Sequence, residues 1–482
     1  MDFSFDGQGA LYEQLARALK RAILDGHFPA GSPLPATRTL ARTLKISRNT
    51  VLGAYELLCA EQLAVARGGS GTRVAHIGAP RARPAARAAL GRTSRYAARI
   101  RRLGPVTLAV AAPAGTRYNL FGEPLLDPRL FNSWRGKLAA AALRTDPGYP
   151  RSAGLPALRA AICDYLARRR GFVCVPHDII VVGGTRQALT LVARVVLDEG
   201  DTVIIEDPHY QLGLRLLQAH GARVVSVPTD REGLVTAQLP ARPARLIYVT
   251  PSHQFPSGAV MSLARRIELL RLTERHHNWI FEDDYDSELQ YGAHPTPALR
   301  SLDGGQRVIY VGTFSKSLFA SLRLGYIVCP RGLRDDLLMA KHLDDGGCAS
   351  IDQAALAVFM QSRQFEKHLR KSALEMNRRY ETLIEGLNRW AGEHIEVSPT
   401  RAGMHVVVWF PRLSYAQFAR LIELASSRGL NLLPVHQYYR QPPPHPGLLV
   451  SFSGLSAPQL RAATELLGHC LEDLSRVPEP TV

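Results

Sequence analysis

The chain has 482 residues, 46% of them hydrophobic, and a formal charge of +17; it exceeds one ordinary domain and can fill more than one core. Its six cysteines are scattered without Cys-x-x-Cys spacing, which argues against a disulfide framework or a zinc site, and no metal is expected. No apolar run reaches membrane-spanning length, and the first residues lack the basic start and apolar core of a signal peptide, so a cytoplasmic protein without a membrane partner is expected. The charge is unevenly placed. Residues 76–103 hold eight Arg and no acid, and the first 103 residues carry +11 of the total. That concentration suits nucleic acid, and a solvated basic linker as well.

At the N-terminus Leu11, Leu15, Ala18, Leu19 and Ile23 recur at helical spacing, and Gly26 stands where a helix would close. Ala36–Leu44 reads as a second short helix. Ser47 is a good N-cap for a third helix reaching about Ala60, with Val51, Ala54, Tyr55 and Leu58 inward and Arg48, Asn49 and Leu52 outward near its start. A helix-turn-helix presents just such a first turn to base edges in the major groove. The stretch AVARGGSGTRVA follows, two β-prone arms around Gly69 and Gly71 with Arg67 and Arg73 flanking, a plausible wing over the phosphate backbone. A generic three-helix bundle with a solvated hairpin fits the same pattern.

Residue by residue, the segment from Leu11 to Ala75 resembles a GntR-type winged helix. The resemblance implies double-stranded DNA as partner and Arg38, Ser47, Arg48, Asn49, Thr50, Arg67, Gly69 and Gly71 as DNA-binding or wing-shaping positions. By chemistry Arg38 suits a phosphate and Arg48 a guanine edge. The pair Gln62-Leu63 departs from the family, which more often turns through glycine there. Residues 1–75 are thus expected to form the DNA-binding domain, and 76–117 a linker kept extended by proline and like charge.

From Tyr118 onward apolar runs alternate with helical stretches, the pattern of a doubly wound α/β sheet. Five runs end in polar clusters: Ile179–Val182 before Gly183-Gly184-Thr185-Arg186, Thr202–Ile205 before Glu206–Tyr210, Leu246–Val249 before TPSHQFPSG, Trp279–Phe281 before Glu282–Tyr285, and Val308–Val311 before GTFSK. In an open parallel sheet such ends line a ligand site. Lys316 sits at one of them. A lysine held there is expected to be partly desolvated, which lowers its pKa and frees the amine for an aldehyde. Arg323, Thr313 and Ser315 nearby suit a phosphate.

The stretch GTFSKSLFASLRLGY resembles the lysine region of fold type I aminotransferases, whose cofactor is pyridoxal 5'-phosphate. With YPRSAGLPALR, EDPHY, VTPSHQFPSG and EDDYDSEL it is similar to the aminotransferase-like domain of MocR-type regulators across roughly 118–470, and the domain is expected to span 118–475. The resemblance implies a mainly parallel sheet flanked by helices, a smaller C-terminal α/β subdomain and a homodimer. It gives Lys316 the internal aldimine and places the phosphate against Arg323, Thr313, Ser315, Gly184, Thr185 and Arg186. Asp283 then faces the pyridine nitrogen, Tyr285 the ring oxygen and Tyr210 the ring face, while Tyr149 reaches the partner's phosphate. Two departures weaken amino-acid turnover: Phe255-Pro256-Ser257-Gly258 replaces an Asn-Pro-Thr-Gly turn, leaving the ring oxygen to Tyr285 and either His253 or Gln254, and Leu449 replaces a carboxylate-binding arginine. Arg401 or Arg440 would have to supply that cation. The expected function is a DNA-binding transcription regulator sensing a small amine, amino acid or vitamer, with residual half-transamination at most. A working aminotransferase with an appended DNA-binding domain is the alternative.

Overall fold

The computed structural model describes residues 5–67, 71–75, 92–104, 112–121, 128–289, 296–398, 400 and 402–476. The chain divides into two compact units, Met1–Arg92 and Thr93–Val482.

In the first unit three helices, α1 (Leu11–Leu24), α2 (Thr37–Leu44) and α3 (Arg48–Ala60), precede an antiparallel hairpin of β1 (Ala64–Arg67) and β2 (Gly71–Val74). α1 ends as its sequence predicts: Gly26 takes φ +82°, its N–H bonds to the Ile23 carbonyl, and the His27 N–H bonds to that of Ala22. Leu15, Ala16, Leu19 and Ile23 of α1 pack with Leu40, Val51, Ala54, Tyr55 and Leu58 in one core. Leu11 is instead exposed. Gln62, at the family's glycine turn, adopts φ +59°, a left-handed conformation costing a side-chain residue about 1 kcal/mol. Gly69 lies outside the described residues.

The second unit begins inside the stretch expected to be extended linker. Arg95–Leu103 is a helix, α4, capped by the Ser94 hydroxyl, which accepts from the Ala97 N–H. Arg99 lies 3.0 Å from Glu199 and donates to the Ala219 carbonyl, and the Tyr96 ring meets His220 at 5.5 Å. Arginines expected to repel into open chain are therefore absorbed at helical spacing by an acid and carbonyls of the same unit.

Strand β3 (Tyr118–Asn119) pairs far along the chain, and then come helices α5 (Pro128–Ala142) and α6 (Pro156–Arg169). The main sheet contains β4 (Ile179–Val182), β5 (Thr202–Asp207), β6 (Arg223–Asp230), β7 (Gly233–Leu234), β8 (Leu246–Val249), β9 (Trp279–Asp284), β10 (Val308–Thr313) and β11 (Gly325–Val328), in the order 4-11-10-9-8-5-6-7. β11 runs antiparallel to both its neighbours, so β4, β5, β8, β9 and β10 all point the same way. β4, β8 and β10 are buried along their whole length, as strands covered by helices on both faces must be. The helices α7 (Thr185–Val196) and α8 (Gln211–His220) follow β4 and β5. A smaller C-terminal layer joins β12 (Glu396–Val397), β13 (His405–Trp409) and β15 (Gly447–Ser451) antiparallel, while β14 (Leu430–Asn431) pairs with β3. Its core packs against the helices Gln364–Ala391 and Ala457–Arg476.

Candidate functional site

The five co-directional strands bring their polar ends to one edge of the sheet, so Gly184, Tyr210, His253, Asp283 and Lys316 share a rim although they lie far apart in the chain.

At one end of the rim an anion cradle forms. Gly184 adopts φ +104° before the first turn of α7, and a Cβ there would lie 3.1 Å from Arg323 Nη2. Arg323, itself at φ +50°, hydrogen-bonds to the Gly183 carbonyl. Burial, and then the Arg186 charge, lower its pKa. The Ser315 hydroxyl is buried without a partner, and the Thr313 hydroxyl accepts from the Ser315 N–H at 3.2 Å. The Gly183 N–H, beside this cradle, donates to Gln187 Oε1 at 2.7 Å. The Thr185 hydroxyl also points away, towards Asp283 Oδ1 at 3.4 Å.

Deeper in the site Asp283 is 5% exposed and accepts from the Tyr248 hydroxyl at 2.6 Å. Burial raises its pKa to about 7. Its neighbour Asp284 is paired differently, with the Arg170 guanidinium at 2.8 Å.

Tyr285 is half-buried, and burial followed by the nearby Asp286 charge raises its phenol well above the ordinary value, so it stays protonated. Its hydroxyl lies 3.1 Å from His253 Nδ1, which in turn lies 2.8 Å from Asp286. Of the two candidates for helping at the ring oxygen, Gln254 is removed: its amide donates to the Pro208 and Phe255 carbonyls and accepts from Ser257. His253, Asp286 and His405 bring ligand atoms within 4.8 Å of one another, a set that can hold a metal ion. This cluster escaped the sequence reading because its members come from three separate segments. Phe255, in the place of the usual asparagine, is ringed by Tyr210, Tyr285, His405 and Tyr438. Leu449 is fully buried against Val407, Val435 and Tyr438.

One expectation needs correction: Lys316, standing beyond the end of β10 at Thr313, is exposed in the single chain, where partial desolvation was expected. Tyr149, expected to reach a partner's phosphate, is fully exposed in the single chain. Arg440 is exposed, with its backbone N–H on Asp207, and Arg401 lies outside the described residues.

In the first unit Arg38, Arg48 and Asn49 are exposed and Thr50 half-buried at the start of the two helices. The Ser47 hydroxyl accepts from the Thr50 N–H at 3.0 Å and meets the Thr50 hydroxyl at 2.8 Å, so both hydroxyls are engaged in capping α3. Arg73, read as a wing contact, turns back to donate to the Gly31 carbonyl at 2.9 Å.

These features agree with known proteins. Residues 11–74 match the family of bacterial regulatory proteins of the gntR type, and residues 122–467 match aminotransferase class I and II. A probable rhizopine catabolism regulatory protein, MocR, of Rhizobium meliloti is 35% identical over 461 residues, covering 95% of this chain and 92% of that one. The pyridoxine biosynthesis transcriptional regulator PdxR of Corynebacterium glutamicum is 29% identical over 453 residues, covering 93% of each. Among solved structures, the α-aminoadipate aminotransferase LysN of Thermus thermophilus, complexed with N-(5'-phosphopyridoxyl)-L-leucine, has a TM-score of 0.69 at 24% identity, over 80% of this chain and 98% of its own; that likeness speaks for the fold. A winged helix fused to an aminotransferase-like body, with both halves matched along nearly the full length of a named regulator, places the chain in the MocR subfamily of GntR-type transcription regulators.

Proposed function

We propose that the protein acts as a cytoplasmic homodimer that binds operator DNA through its winged helix and senses a small amine, amino acid or vitamer through pyridoxal 5'-phosphate attached at Lys316. The observation that carries this reading is the placing on one rim of an anion cradle, at Arg323 and the unpaired Ser315 hydroxyl, and a buried carboxylate, at Asp283. When bound, the cofactor supplies an aldehyde carbon that exchanges one amine for another. Asp283 holds a positive ring nitrogen in place, and the protonated Tyr285 phenol, oriented by His253, donates to the ring oxygen. Arg323, Ser315, Thr313 and the first turn of α7 from Gly184 to Arg186 bind the phosphate. Tyr210 covers the ring face. Exposed Lys316 and Tyr149 suit a site finished by a second subunit, with Tyr149 reaching across to the partner's phosphate. A ligand that frees the Lys316 amine changes the charge at this rim, and its differential affinity for two domain arrangements is what couples it to DNA.

The test is Lys316→Ala in the full-length protein. It should lose the visible absorption of the loaded protein and the response to ligand while keeping basal DNA binding; an unchanged ligand response would sink the proposal. Retention of Lys316, Asp283 and Tyr285 in an aminotransferase fold favours a second reading, an active aminotransferase. Multiple turnovers with an oxo-acid acceptor at about 1 per second or more would establish that reading.

A further inference from the structure

The end of the site away from the anion cradle is built almost without charge. The Phe255 ring occupies it, with centroids 6.2 Å from Tyr285, 5.4 Å from His405 and 5.1 Å from Tyr438. Behind Phe255, β13 and β15 turn Val407 and Leu449 inward, both at 0% exposure. The guanidiniums around it lie elsewhere: Arg186 beside Arg323 at the cradle, and Arg440 on the exposed rim beside Asp207.

Set into this apolar wall are polar atoms that no protein group satisfies. His253 Nε2, His405 Nε2 and Thr400 Oγ1 are buried and unpaired, in residues 1%, 7% and 7% exposed. The two imidazole rings stand 4.8 Å apart. A Cβ added at Gly258 would lie 3.4 Å from His253 Nε2 and 3.2 Å from Thr400 Cγ2, so His253 and Thr400 border the same small space. Asp286 fixes the His253 ring through Nδ1. Buried groups left unpaired in this way cost stability until something bonds to them.

Building on the sensing role above, we propose that the ligand is an amine bearing uncharged hydrogen-bonding groups, such as hydroxyl, ether or amide, and not an amino acid carboxylate, with His253, His405 and Thr400 setting that preference. A carboxylate brought against Phe255 and Leu449 surrenders its water and, among the described residues, meets no guanidinium there in return. A hydroxyl, which both donates and accepts, can bond to an unpaired imidazole nitrogen and to the Thr400 hydroxyl, satisfying ligand and protein together.

The experiment uses full-length protein loaded with pyridoxal 5'-phosphate, its visible absorption titrated with matched amines: aminobutanol against aminobutanoate, and aminocyclohexanol against aminocyclohexanecarboxylate. The alcohol of each pair should act at a concentration tenfold or more below that of its carboxylate, about 1.4 kcal/mol. Thr400→Val and His405→Asn should each weaken the alcohols about three- to tenfold, the value of one hydrogen bond, and weaken the carboxylates less; general damage would lower both alike. Equal or reversed preference overturns the proposal, as does alcohol binding that neither variant moves, or a stoichiometric metal bound through His253 and His405. Carboxylate binding lost in Arg401→Ala would also overturn it, by supplying the cation argued to be missing. Protein that never acquires the visible band overturns the cofactor reading and this proposal with it, whereas a band that answers only to carboxylates overturns this proposal alone.

Discussion

Asp283 is buried with the Tyr248 and Thr185 hydroxyls as its hydrogen-bond partners among the described residues, so removing its charge should stabilise the cofactor-free protein. Its pKa is raised from 3.8 in the open chain to about 7 in the fold. The stability linked to its protonated form is therefore complete below the unfolded value and is lost as pH climbs towards 7. At pH 8 the group is ionised in both states, and the fold carries a penalty of about 4 kcal/mol at roughly 1.4 kcal/mol per pKa unit; at pH 5 the penalty is about 2 kcal/mol. Asp283→Asn removes it but spoils one hydrogen bond with Tyr248 or Thr185, worth about 1 kcal/mol. The net gain is about 3 kcal/mol at pH 8 and about 1 kcal/mol at pH 5. Unfolding entropy near 2.1 cal/mol/K per residue gives the unit Thr93–Val482 about 0.8 kcal/mol/K. The cofactor-free variant should then melt about 4 °C above the native chain at pH 8 and about 1 °C above it at pH 5, as read by scanning calorimetry. Added pyridoxal 5'-phosphate should reverse the order, because only the aspartate gains an ion pair with a protonated ring. A cofactor-free variant melting at or below the native chain at both pH values would refute the reasoning.

Arg170→Met strands the fully buried Asp284 carboxylate, which should cost about 3–5 kcal/mol and lower the same transition by about 4–6 °C; adding Asp284→Asn should restore at least half, and no recovery would deny the ion pair its importance. Ser47→Ala removes the cap of α3, about 1 kcal/mol, which for a unit of this size lowers the melting of the N-terminal unit by about 4–8 °C. A smaller shift would mean that solvent caps the helix equally well. Arg48→Ala should weaken operator binding by about 1–3 kcal/mol more than it weakens binding to a scrambled duplex, as measured by fluorescence anisotropy. Equal losses on both duplexes would reduce Arg48 to a phosphate contact.

Much of this architecture is written locally. The Schellman close at Gly26, the Ser47 cap and the inward face of α3 follow from spacing and side-chain chemistry within a few residues, and the five expected apolar runs all form strands of the main sheet, three of them running on two or three residues into their polar ends, whereas β6 and β7 were not foreseen. The site was legible as a set of strand ends. Its hydrogen-bond assignments were not: Thr185 turns to Asp283, Gly183 is taken by Gln187, and Gln254 is used up by its own loop. Side-chain direction at a strand end depends on what the neighbouring strand presents, and no spacing encodes that. The helix α4 was missed for a related reason: its polar partners Glu199 and Ala219 lie about a hundred residues downstream.

The sequence alone determined a winged helix followed by an α/β body with Lys316, Asp283 and Arg323 at strand ends, because periodicity, capping and apolar runs act over one or two turns of chain. Only the tertiary structure decided that Lys316 stands exposed, that Arg73 folds back on its own domain, and that His253, Asp286 and His405 meet behind Phe255. Those outcomes depend on strand order and the burial it creates, and burial is a property of elements that meet in space whatever their separation along the chain.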